Sequence, residues 1–303
     1  MVKYIIKRIL LAVLTVFIIC AITFFAMHAV PGGPFNREKA VSEATIAALN
    51  ARYGMDKPVG EQFILYMQGI LHGDFGVSLK NGREISAIIG ESFPISARLG
   101  VSAMIVALIC GTILGSFAAL MRNKLPDRII VFITTLLTAV PSFVLATLLL
   151  LVFCIKLGWV PVWSSTSNNY VLPVIALSAY PMAYITRLSK TSMLDALGQD
   201  YIRTARAKGV SRMKMIFKHA LRNSLIPVIT YAGPQIAYII TGSMVIETIF
   251  TVGGLGSKFV SAINNRDYTL IMATTIFLAV LMVVANVICD LLYKAVDPRI
   301  KYD

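Results

Sequence analysis

The sequence predicts an all-α, polytopic membrane protein with six transmembrane helices. Hydrophobic residues make up 57% of the chain and charged residues only 14%, whereas charged residues approach about a quarter of an ordinary soluble domain. A helix needs roughly 20 apolar residues to cross about 30 Å of hydrocarbon. Runs of about that length occur at six places, which are Ile9–Val30, Leu99–Met121, Ile129–Ile155, Val171–Leu188, Leu225–Ile246 and Leu270–Tyr293.

Basic residues concentrate on one side of these spans, which predicts that both termini are cytoplasmic. With six spans, 18 of the 28 Lys and Arg residues fall on that side, together with six acidic residues. Short cytoplasmic loops of membrane proteins carry such an excess of Lys and Arg. The formal net charge of +13 is therefore explained by topology, and it gives little reason to expect a nucleic-acid partner.

The spans divide the chain into four regions. Residues 1–30 hold a short basic tail and the first helix, which we interpret as a retained anchor because its apolar run exceeds the roughly 7–15 residues of a signal peptide. Residues 31–97 form an extracytoplasmic helical segment. Residues 98–293 form a five-helix core with a cytoplasmic loop at 189–224, and residues 294–303 form a cytoplasmic tail.

The external segment has the patterns of folded structure. Ser42–Tyr53 has a capped helical pattern that Gly54 ends, and Pro58 opens a second helix with an apolar stripe on one face. Two interpretations of the stripe stay open, a helix lying on the outer membrane surface or a docking surface for an external partner. The candidate docking residues are Phe63, Met67, Ile70 and, in the turn that follows, Asp74.

Small residues and prolines mark the core spans. The second span contains a group of small residues from Gly111 to Ala119 that suits close helix packing, and only residues 122–128 separate it from the third span, so these two are expected to be antiparallel neighbours. A proline leaves a backbone carbonyl without its helical partner, so it marks either a moving kink or ordinary curvature. The two spans that flank the central loop are both expected to be interrupted by prolines. The candidate pivots are Pro141, Pro181, Pro227 and Pro234.

The sequence lacks the groupings of a catalytic or metal site. Its three histidines, His28, His72 and His219, lie far apart, its four cysteines all fall in apolar runs, and it has no phosphate-binding loop or hydrolase signature. The span centres contain no Asp, Glu, Lys or Arg. This argues against an ion-coupled carrier, because ionisable residues inside the membrane usually form its coupling site. We therefore expect a non-catalytic chain that draws its energy from another subunit.

The most polar stretch is Asp195–Pro227, which lies between two apolar spans. Within it, Asp200 is expected to cap two helical turns over Tyr201–Lys208, and Gly209 to end them in the left-handed conformation. A second helix, capped by Ser211, follows. Its apolar face is predicted to consist of Met213, Ile216, Phe217, Ala220 and Leu221.

Two functions compete for this stretch. Its basic residues could bind anionic lipid headgroups, at about 1 kcal/mol for each Lys or Arg. Alternatively, the short helix could insert into a groove on a cytoplasmic protein. Lipid binding needs charge alone, but here the basic side chains alternate with small ones, which favours a surface shaped for protein contact. The residues concerned are Thr204, Ala205, Ala207 and Gly209 among Arg203, Arg206 and Lys208.

These residues resemble the coupling loop of the permease subunits of ABC importers. The similarity runs over Asp200–Gly209, His219–Asn223 and Leu225–Pro227, and it is strongest to the B-type subunit of the oligopeptide, dipeptide and nickel group. Arg203–Ala205 stands where the general motif has Glu-Ala-Ala, as is usual in the peptide group, and Gly253 stands where the family tends to have proline. Further motifs extend the resemblance over nearly the whole chain, namely Pro31–Pro34, Gly73–Gly76 with Ser78, Pro141–Phe143, Leu157–Trp159, Glu247 with Phe250, Gly254–Gly256, Arg266–Tyr268 and Asp297–Ile300.

The resemblance implies a type I ABC importer permease fold in the bacterial cytoplasmic membrane. It implies as partners a homologous C-type permease subunit, two cytoplasmic ATP-binding subunits that bind ATP and Mg, and an extracytoplasmic substrate-binding protein; this chain would bind no cofactor itself. Peptide is the expected substrate, nickel chelates and glycans stay open, and an ion-coupled carrier is the alternative outside the family. Coupling to the ATPase is then expected of Asp200, Tyr201, Arg203, Thr204, Ala205, Arg206, Ala207, Lys208 and Gly209.

Overall fold

The computed structural model describes residues 2–29, 56–164 and 166–296, and the regular structure of this part of the chain is helical apart from one isolated β-bridge between Val77 and Glu84. The predicted helix Ser42–Tyr53 and the motifs Pro31–Pro34 and Asp297–Ile300 lie outside the described residues. The helices are α1 (Val2–Ala29), α2 (Val59–Leu71), α3 (Ile85–Leu120), α4 (Leu125–Ala139), α5 (Ser142–Leu149), π1 (Leu150–Lys156), α6 (Val171–Gly198), α7 (Asp200–Ala207), α8 (Arg212–Lys214), π2 (Met215–Leu221), α9 (Arg222–Ile240), α10 (Met244–Ile249), α11 (Leu255–Asn265) and α12 (Tyr268–Val296).

Among the described residues, four helices, α1, α3, α6 and α12, are long and apolar enough to cross a membrane. The pair formed by α4 and the continuous α5 and π1 is a fifth candidate, with a bend of 103° between its halves. α9 occupies the predicted fifth span but is not apolar enough to join this group, because polar side chains such as Thr230, Gln235 and Tyr238 recur along it. The count of six spans and the cytoplasmic placement of both termini therefore stay predictions.

α3 is longer than the span predicted from the sequence. It begins at Ile85 rather than near Leu99, continues through Pro94 and has 36 residues, which corresponds to about 54 Å at 1.5 Å per residue. The first turns of α3 thus come from the region assigned to the external segment. In these turns, Ile85, Ile88 and Ile89 are buried in a core cluster with residues of α11 and α12.

The third predicted span is not one continuous helix. α4 ends at Ala139, and Val140 has an extended conformation with ψ 126°. Proline lacks a backbone N–H and disfavours the helical conformation of the residue before it, so Pro141 ends one helix and caps the next at Ser142. The result is the 103° bend instead of a gentle kink.

The other prolines leave their helices continuous, which corrects the expectation that both spans beside the central loop are interrupted. α6 runs unbroken over 28 residues with Pro181 inside it, and α9 runs through Pro227 and Pro234. Pro173 lies in the first turn of α6, where a helical N–H has no intrahelical partner to lose.

The most extensive helix pair in the described structure is α3 with α6. Two glycines of the predicted small-residue group allow the two helices to approach closely. A Cβ atom on Gly111 would lie 2.8 Å from the side chain of Ile185, and one on Gly115 would lie 2.3 Å from the carbonyl oxygen of Thr186. α4 also packs on both α3 and α6. The predicted neighbours α3 and α4 are therefore in contact, but α6 is the main partner of α3.

A buried carboxylate joins the segment before α3 to the start of α12. Asp267 is 2% exposed; it accepts a hydrogen bond from the hydroxyl of Ser78 and one from the backbone N–H of Leu79 at 3.2 Å. Thr269 at the start of α12 donates to the carbonyl of Val77 at 2.8 Å. Two of the sequence motifs, one before α3 and one before α12, thus form a single structural unit.

Candidate functional site

The short helix of the central polar stretch, α7, forms at the predicted place but is capped differently. It begins at Asp200 and ends at Ala207, and Gln199, with ψ 153°, occupies the N-cap position predicted for Asp200. Gly209 has φ +72° as expected, and its N–H donates to the carbonyl of Arg206 at 3.0 Å. The N–H of Val210 donates to Ala205 at 3.1 Å. The carbonyl groups at the end of the helix are therefore hydrogen-bonded through a left-handed glycine turn.

One face of α7 is buried within the chain itself. Ile202 is 1% exposed and Ala205 is 8% exposed. Ile202 belongs to a core cluster that draws on the ends of α3 and α6 and on π2, with Ala119, Met193, Ala196, Met215, Ile216 and Ala220. Ala205 lies one helical turn from Ile202 on the same side of α7. The small size of Ala205 thus fits the core of this protein, and Ala205 is not available to a partner surface.

The opposite face of α7 is exposed and basic. The side chains of Arg203 and Asp200 are 79% and 93% exposed, and their closest charged atoms are 3.4 Å apart, a spacing that contributes little stability in water. Ala207 and Gly209 are the small residues that remain accessible among the charged ones. The exposed group consists of Asp200, Tyr201, Arg203, Thr204, Arg206, Ala207, Lys208 and Gly209.

The segment after α7, residues 211–221, differs from the predicted amphipathic α-helix. Ser211 is the N-cap of α8 as expected, although its side chain makes no capping hydrogen bond. Residues Met215–Leu221 then form a π-helix, whose i→i+5 hydrogen bonds change the periodicity. Met215 is therefore buried, whereas Met213 and Phe217 are 63% and 59% exposed, which corrects the predicted face of Met213, Ile216, Phe217, Ala220 and Leu221.

α6 connects α7 to the middle of the helix bundle. It ends at Gly198, two residues before α7 begins, and it is continuous back to Pro181, a distance of about 25 Å along a helix. Near the C-terminal end of α6, the ammonium group of Lys190 lies 2.5 Å from Asp127 in the first turn of α4. The other carboxylate oxygen of Asp127 accepts from the N–H of Asn123 at 3.0 Å. A displacement of α7 would therefore be passed to α6, and from α6 to α3 and α4.

The candidate pivots do not form one group. Pro141 and Pro181 line the same cavity, which has a volume of about 630 Å³ and lies between α4, α5, α6, α9 and α10. Pro227 and Pro234 are exposed on α9 and do not line it. Pro141 breaks the backbone, whereas the other three lie inside continuous helices.

The candidate docking residues lie on two surfaces. Phe63 packs against α1, with ring centroids 5.2 Å from Phe24 and 5.4 Å from Phe25. Met67 and Ile70 are half-buried, and Asp74 is exposed in the turn after α2. Phe63 thus contacts this chain, while Leu71, which is 81% exposed, belongs to the open side of α2.

A buried glutamate from the motif Glu247 with Phe250 forms a second connected group. Glu247 on α10 is fully buried, and one carboxylate oxygen accepts from the N–H of Ser257 at 3.1 Å. Burial raises the pKa of this carboxyl. Cβ atoms on Gly242, Gly254 and Gly256 would lie 2.8, 2.5 and 3.0 Å from its oxygens. In the sequence, the only indication of this group was that Gly254 and Gly256 follow Glu247 closely.

The described residues contain no group of three or more His, Cys, Asp or Glu side chains that could hold a metal ion. Cys20, Cys110 and Cys154 are free thiols, and Cys20 is fully buried. The exposed side of α7 is a basic surface with two small residues, Ala207 and Gly209, among its charged side chains.

Two family models match the chain. Residues 111–302 match the family described as binding-protein-dependent transport system inner membrane component. Residues 1–104 match the N-terminal model of binding-protein-dependent transport system membrane components. The described α7 and its supporting cluster lie within the first of these matches.

Curated relatives are similar over their full length. The chain is 44% identical to the dipeptide transport system permease protein DppB of Bacillus subtilis over 303 residues, which are 99% of this chain and 98% of the relative. It is 42% identical to the oligopeptide transport system permease protein OppB of Haemophilus influenzae, with 100% of both chains covered. It is 40% identical to OppB of Escherichia coli, again with both chains fully covered.

A solved structure shares the fold. The crystal structure of an amino acid ABC transporter with histidines superposes with a TM-score of 0.56 and 12% identity, covering 69% of this chain and 94% of that chain. At this identity the likeness concerns the fold alone. It confirms the predicted all-α transporter permease architecture.

Proposed function

Because the chain belongs to the family of binding-protein-dependent transport system inner membrane components, we propose that it is the transmembrane permease subunit of an ATP-driven importer of peptides. It is a multi-pass protein of the cytoplasmic membrane, and as a permease subunit it is not catalytic by itself. The observation that carries the peptide assignment is the 40–44% identity to dipeptide and oligopeptide permeases over whole chains. Nickel chelates and glycans are not favoured by these relatives.

The permease works with separate subunits. We assign to it a homologous C-type permease that supplies the other half of the pathway, two cytoplasmic subunits that bind ATP and Mg, and an extracytoplasmic binding protein that delivers peptide. The family supports these classes of partner. The exposed side of α2, with Leu71 and Asp74, is the surface of this chain that we assign to the binding protein.

The exposed face of α7 is the contact with one ATPase subunit. Its basic groups surround the small residues Ala207 and Gly209, so a groove could approach the helix backbone closely. Ile202 anchors the opposite face in the core of this chain. A force applied to α7 would therefore move α6 with it instead of bending a loose loop.

ATP can drive such a change only through different affinities for two conformations. A ligand shifts a two-state equilibrium by its differential binding free energy. In this scheme, closure of the ATPase dimer on ATP binds the outward-facing arrangement more tightly, and α7 with α6 transmits that preference to the cavity around Pro141 and Pro181.

Peptide uptake by the reconstituted complex tests the proposal. Proteoliposomes should contain this chain, its partner permease and the ATPase subunits, with the binding protein on the opposite side from ATP. Uptake of labelled di- to pentapeptides should require ATP and persist when ion gradients are dissipated. ATP-dependent uptake of nickel chelates or glycans without peptide uptake would contradict the substrate assignment, and gradient-dependent uptake would favour an ion-coupled carrier.

A further inference from the structure

The cavity between the broken helix pair and α6 has an unusual lining for a surface within the membrane. Of its 21 lining residues, all described, none is Asp, Glu, Lys, Arg or His. Seven carry hydrogen-bonding side chains, which come from α4, α5, α6, α9 and the turn before α10: Thr138, Ser142, Tyr180, Gln235, Tyr238, Thr241 and Ser243. Its volume of about 630 Å³ falls within the roughly 300–1,000 Å³ of typical small-molecule sites.

Part of this hydrogen-bonding capacity is unused within the chain. Thr138 and Thr241 donate to backbone carbonyls at 3.1 and 2.6 Å. By contrast, the side chains of Gln235 and Tyr238 make no hydrogen bond to any residue in the described ranges. An amide or hydroxyl turned toward lipid tails without a partner is costly. These side chains therefore need a partner outside the described residues, which can be water, a polar ligand or another subunit.

The cavity is open on one side. Tyr180 and Tyr238 line it and are 51% and 64% exposed, and Ser142 beside the α4–α5 break is also exposed. Toward α7 the same helix pair is closed by an aromatic contact, because the rings of Tyr184 on α6 and Tyr231 on α9 stack with centroids 4.3 Å apart. The stack lies one turn from Tyr180 on α6, on the side of the coupling helix.

Every wall of the cavity contains a backbone irregularity. Pro141 separates α4 from α5, Pro181 lies inside α6, and the turn at Gly242, with φ +96°, separates α9 from α10. Relative movement of these segments would change the shape of the cavity directly. Motion of α6, which contributes Tyr180 and Pro181 to the lining, would therefore alter the cavity.

Resting on the proposed function, we propose that this cavity is a contact site for the peptide in transit, in which uncharged side chains bind the peptide backbone. Gln235, Tyr238 and Ser142 supply donors and acceptors that match backbone amides, whereas the absence of charged groups from the lining gives no preference among peptide side chains. The Tyr184–Tyr231 stack closes the site toward the cytoplasm. Water fills the site between transport events.

Photolabelling of the assembled complex tests this assignment. The probes are two dipeptides that carry a diazirine residue, lysyl-photoleucine and glutamyl-photoleucine, supplied with the binding protein and ATP. Mass spectrometry should place the label of both probes on residues of the cavity, with yields that differ less than about threefold. Labelling confined to other helices, or of one charge type only, would overturn the proposal.

A pair of variants supports the labelling. Gln235→Leu removes a hydrogen-bonding group and should raise the KM for peptide uptake about three- to tenfold, the effect of losing one hydrogen bond. Ile229→Leu, at an exposed apolar position on the same helix, should leave uptake unchanged. Equal KM values in the wild type and Gln235→Leu would contradict the contact.

The outcomes separate this inference from the function on which it rests. If the wild-type complex imports peptide but the cavity is not labelled, only the contact site fails. If Tyr238 cross-links to the partner permease in every state and never to peptide, the cavity is a subunit interface and the inference is wrong. If no peptide is imported, the proposed function fails and the contact site with it.

Discussion

The carbonyl oxygen of Thr186 on α6 lies 2.3 Å from the position that a Cβ atom on Gly115 of α3 would occupy. No side chain fits at this point, so the two backbones are in direct contact. Ser189 and Lys190 lie against the same glycine. α3 and α6 therefore form one packed unit. Both helices contribute to the cluster that supports α7, and α6 also lines the cavity.

Replacing Gly115 with alanine should destabilise the complex. Because both neighbouring backbone atoms resist displacement, we expect a loss of about 1–3 kcal/mol, the range for overpacked sites. Gly90→Ala, in the same helix with no atom within 4 Å of its Cβ position, should be neutral or stabilising by up to about 1 kcal/mol. Thermal unfolding of the purified complex measures both. Equal melting temperatures for the two variants would contradict the close packing.

Removing one partner of the Lys190–Asp127 pair should lower the stability of the folded protein more than removing both partners. The carboxylate side chain is 6% exposed and the lysine 22%, and a buried charge that loses its partner is strongly unfavourable. We expect Lys190→Met to lower stability more than the double variant Lys190→Met with Asp127→Leu. A double-mutant cycle on thermal stability isolates the pair, and additive effects would show that it contributes nothing.

The stability of the complex should depend on pH through Glu247. A raised pKa in the folded state means that the folded protein holds the proton more tightly, so the associated stability is present below the ordinary carboxyl pKa of 4.5 and is lost as pH rises through the raised value. Glu247→Gln should flatten this fall in melting temperature, since the amide is neutral throughout.

An exposed glutamate provides the control for this pH effect. Glu84 precedes α3 and is exposed, so Glu84→Gln should keep the wild-type pH profile. The buried position also predicts that Glu247→Ala is far less stable than Glu247→Gln, because the N–H of Ser257 would lose its acceptor. An unchanged pH profile in Glu247→Gln would show that other groups dominate.

The two sides of α2 should respond differently to substitution. Phe63→Ala removes a ring that packs on Phe24 and Phe25 and should reduce the amount of folded protein, by less than the roughly 3–5 kcal/mol of a fully buried phenylalanine. Leu71→Ser should leave abundance unchanged and weaken attachment of the binding protein. Membrane abundance and binding-protein affinity are measured together. Normal docking in Leu71→Ser would remove this surface from the assignment.

Much of the architecture could be predicted from local patterns. The positions of α1, α6 and α12 follow from the lengths of their apolar runs. The position of α7 follows from the polar residues at its start and from Gly209, whose backbone freedom suits the left-handed turn that ends it. The same patterns could not show that Ala205 faces inward, because the face that it shares with Ile202 is covered by α3, α6 and π2, which lie elsewhere in the chain. The π-helix itself has no signature in the apolar spacing and shifts Met213 and Phe217 outward.

Contacts between residues that lie far apart in the chain could not be predicted from the sequence. Pro141 predicts a kink, but the 103° bend requires that α5 find contacts on α6 and α10, which no local pattern contains. Gln235 and Tyr238 look unremarkable in a helix, and they form a site only because α4, α6 and α10 surround them. Asp267 and Ser78 were visible as separate motifs, and their contact depends on a fold that brings together residues 189 positions apart.

The central claim is that the exposed face of α7 couples peptide import to ATP hydrolysis by a partner. Ala207→Leu tests it most directly, because it enlarges an exposed small residue without changing charge. ATP hydrolysis by the reconstituted complex, measured with and without the binding protein and peptide, should lose its stimulation in Ala207→Leu and keep it in Met213→Ala, an exposed control outside α7. Normal stimulation in Ala207→Leu, combined with a loss when Arg203 and Arg206 are replaced with glutamine, would contradict the fitted contact and favour charge-dependent lipid binding.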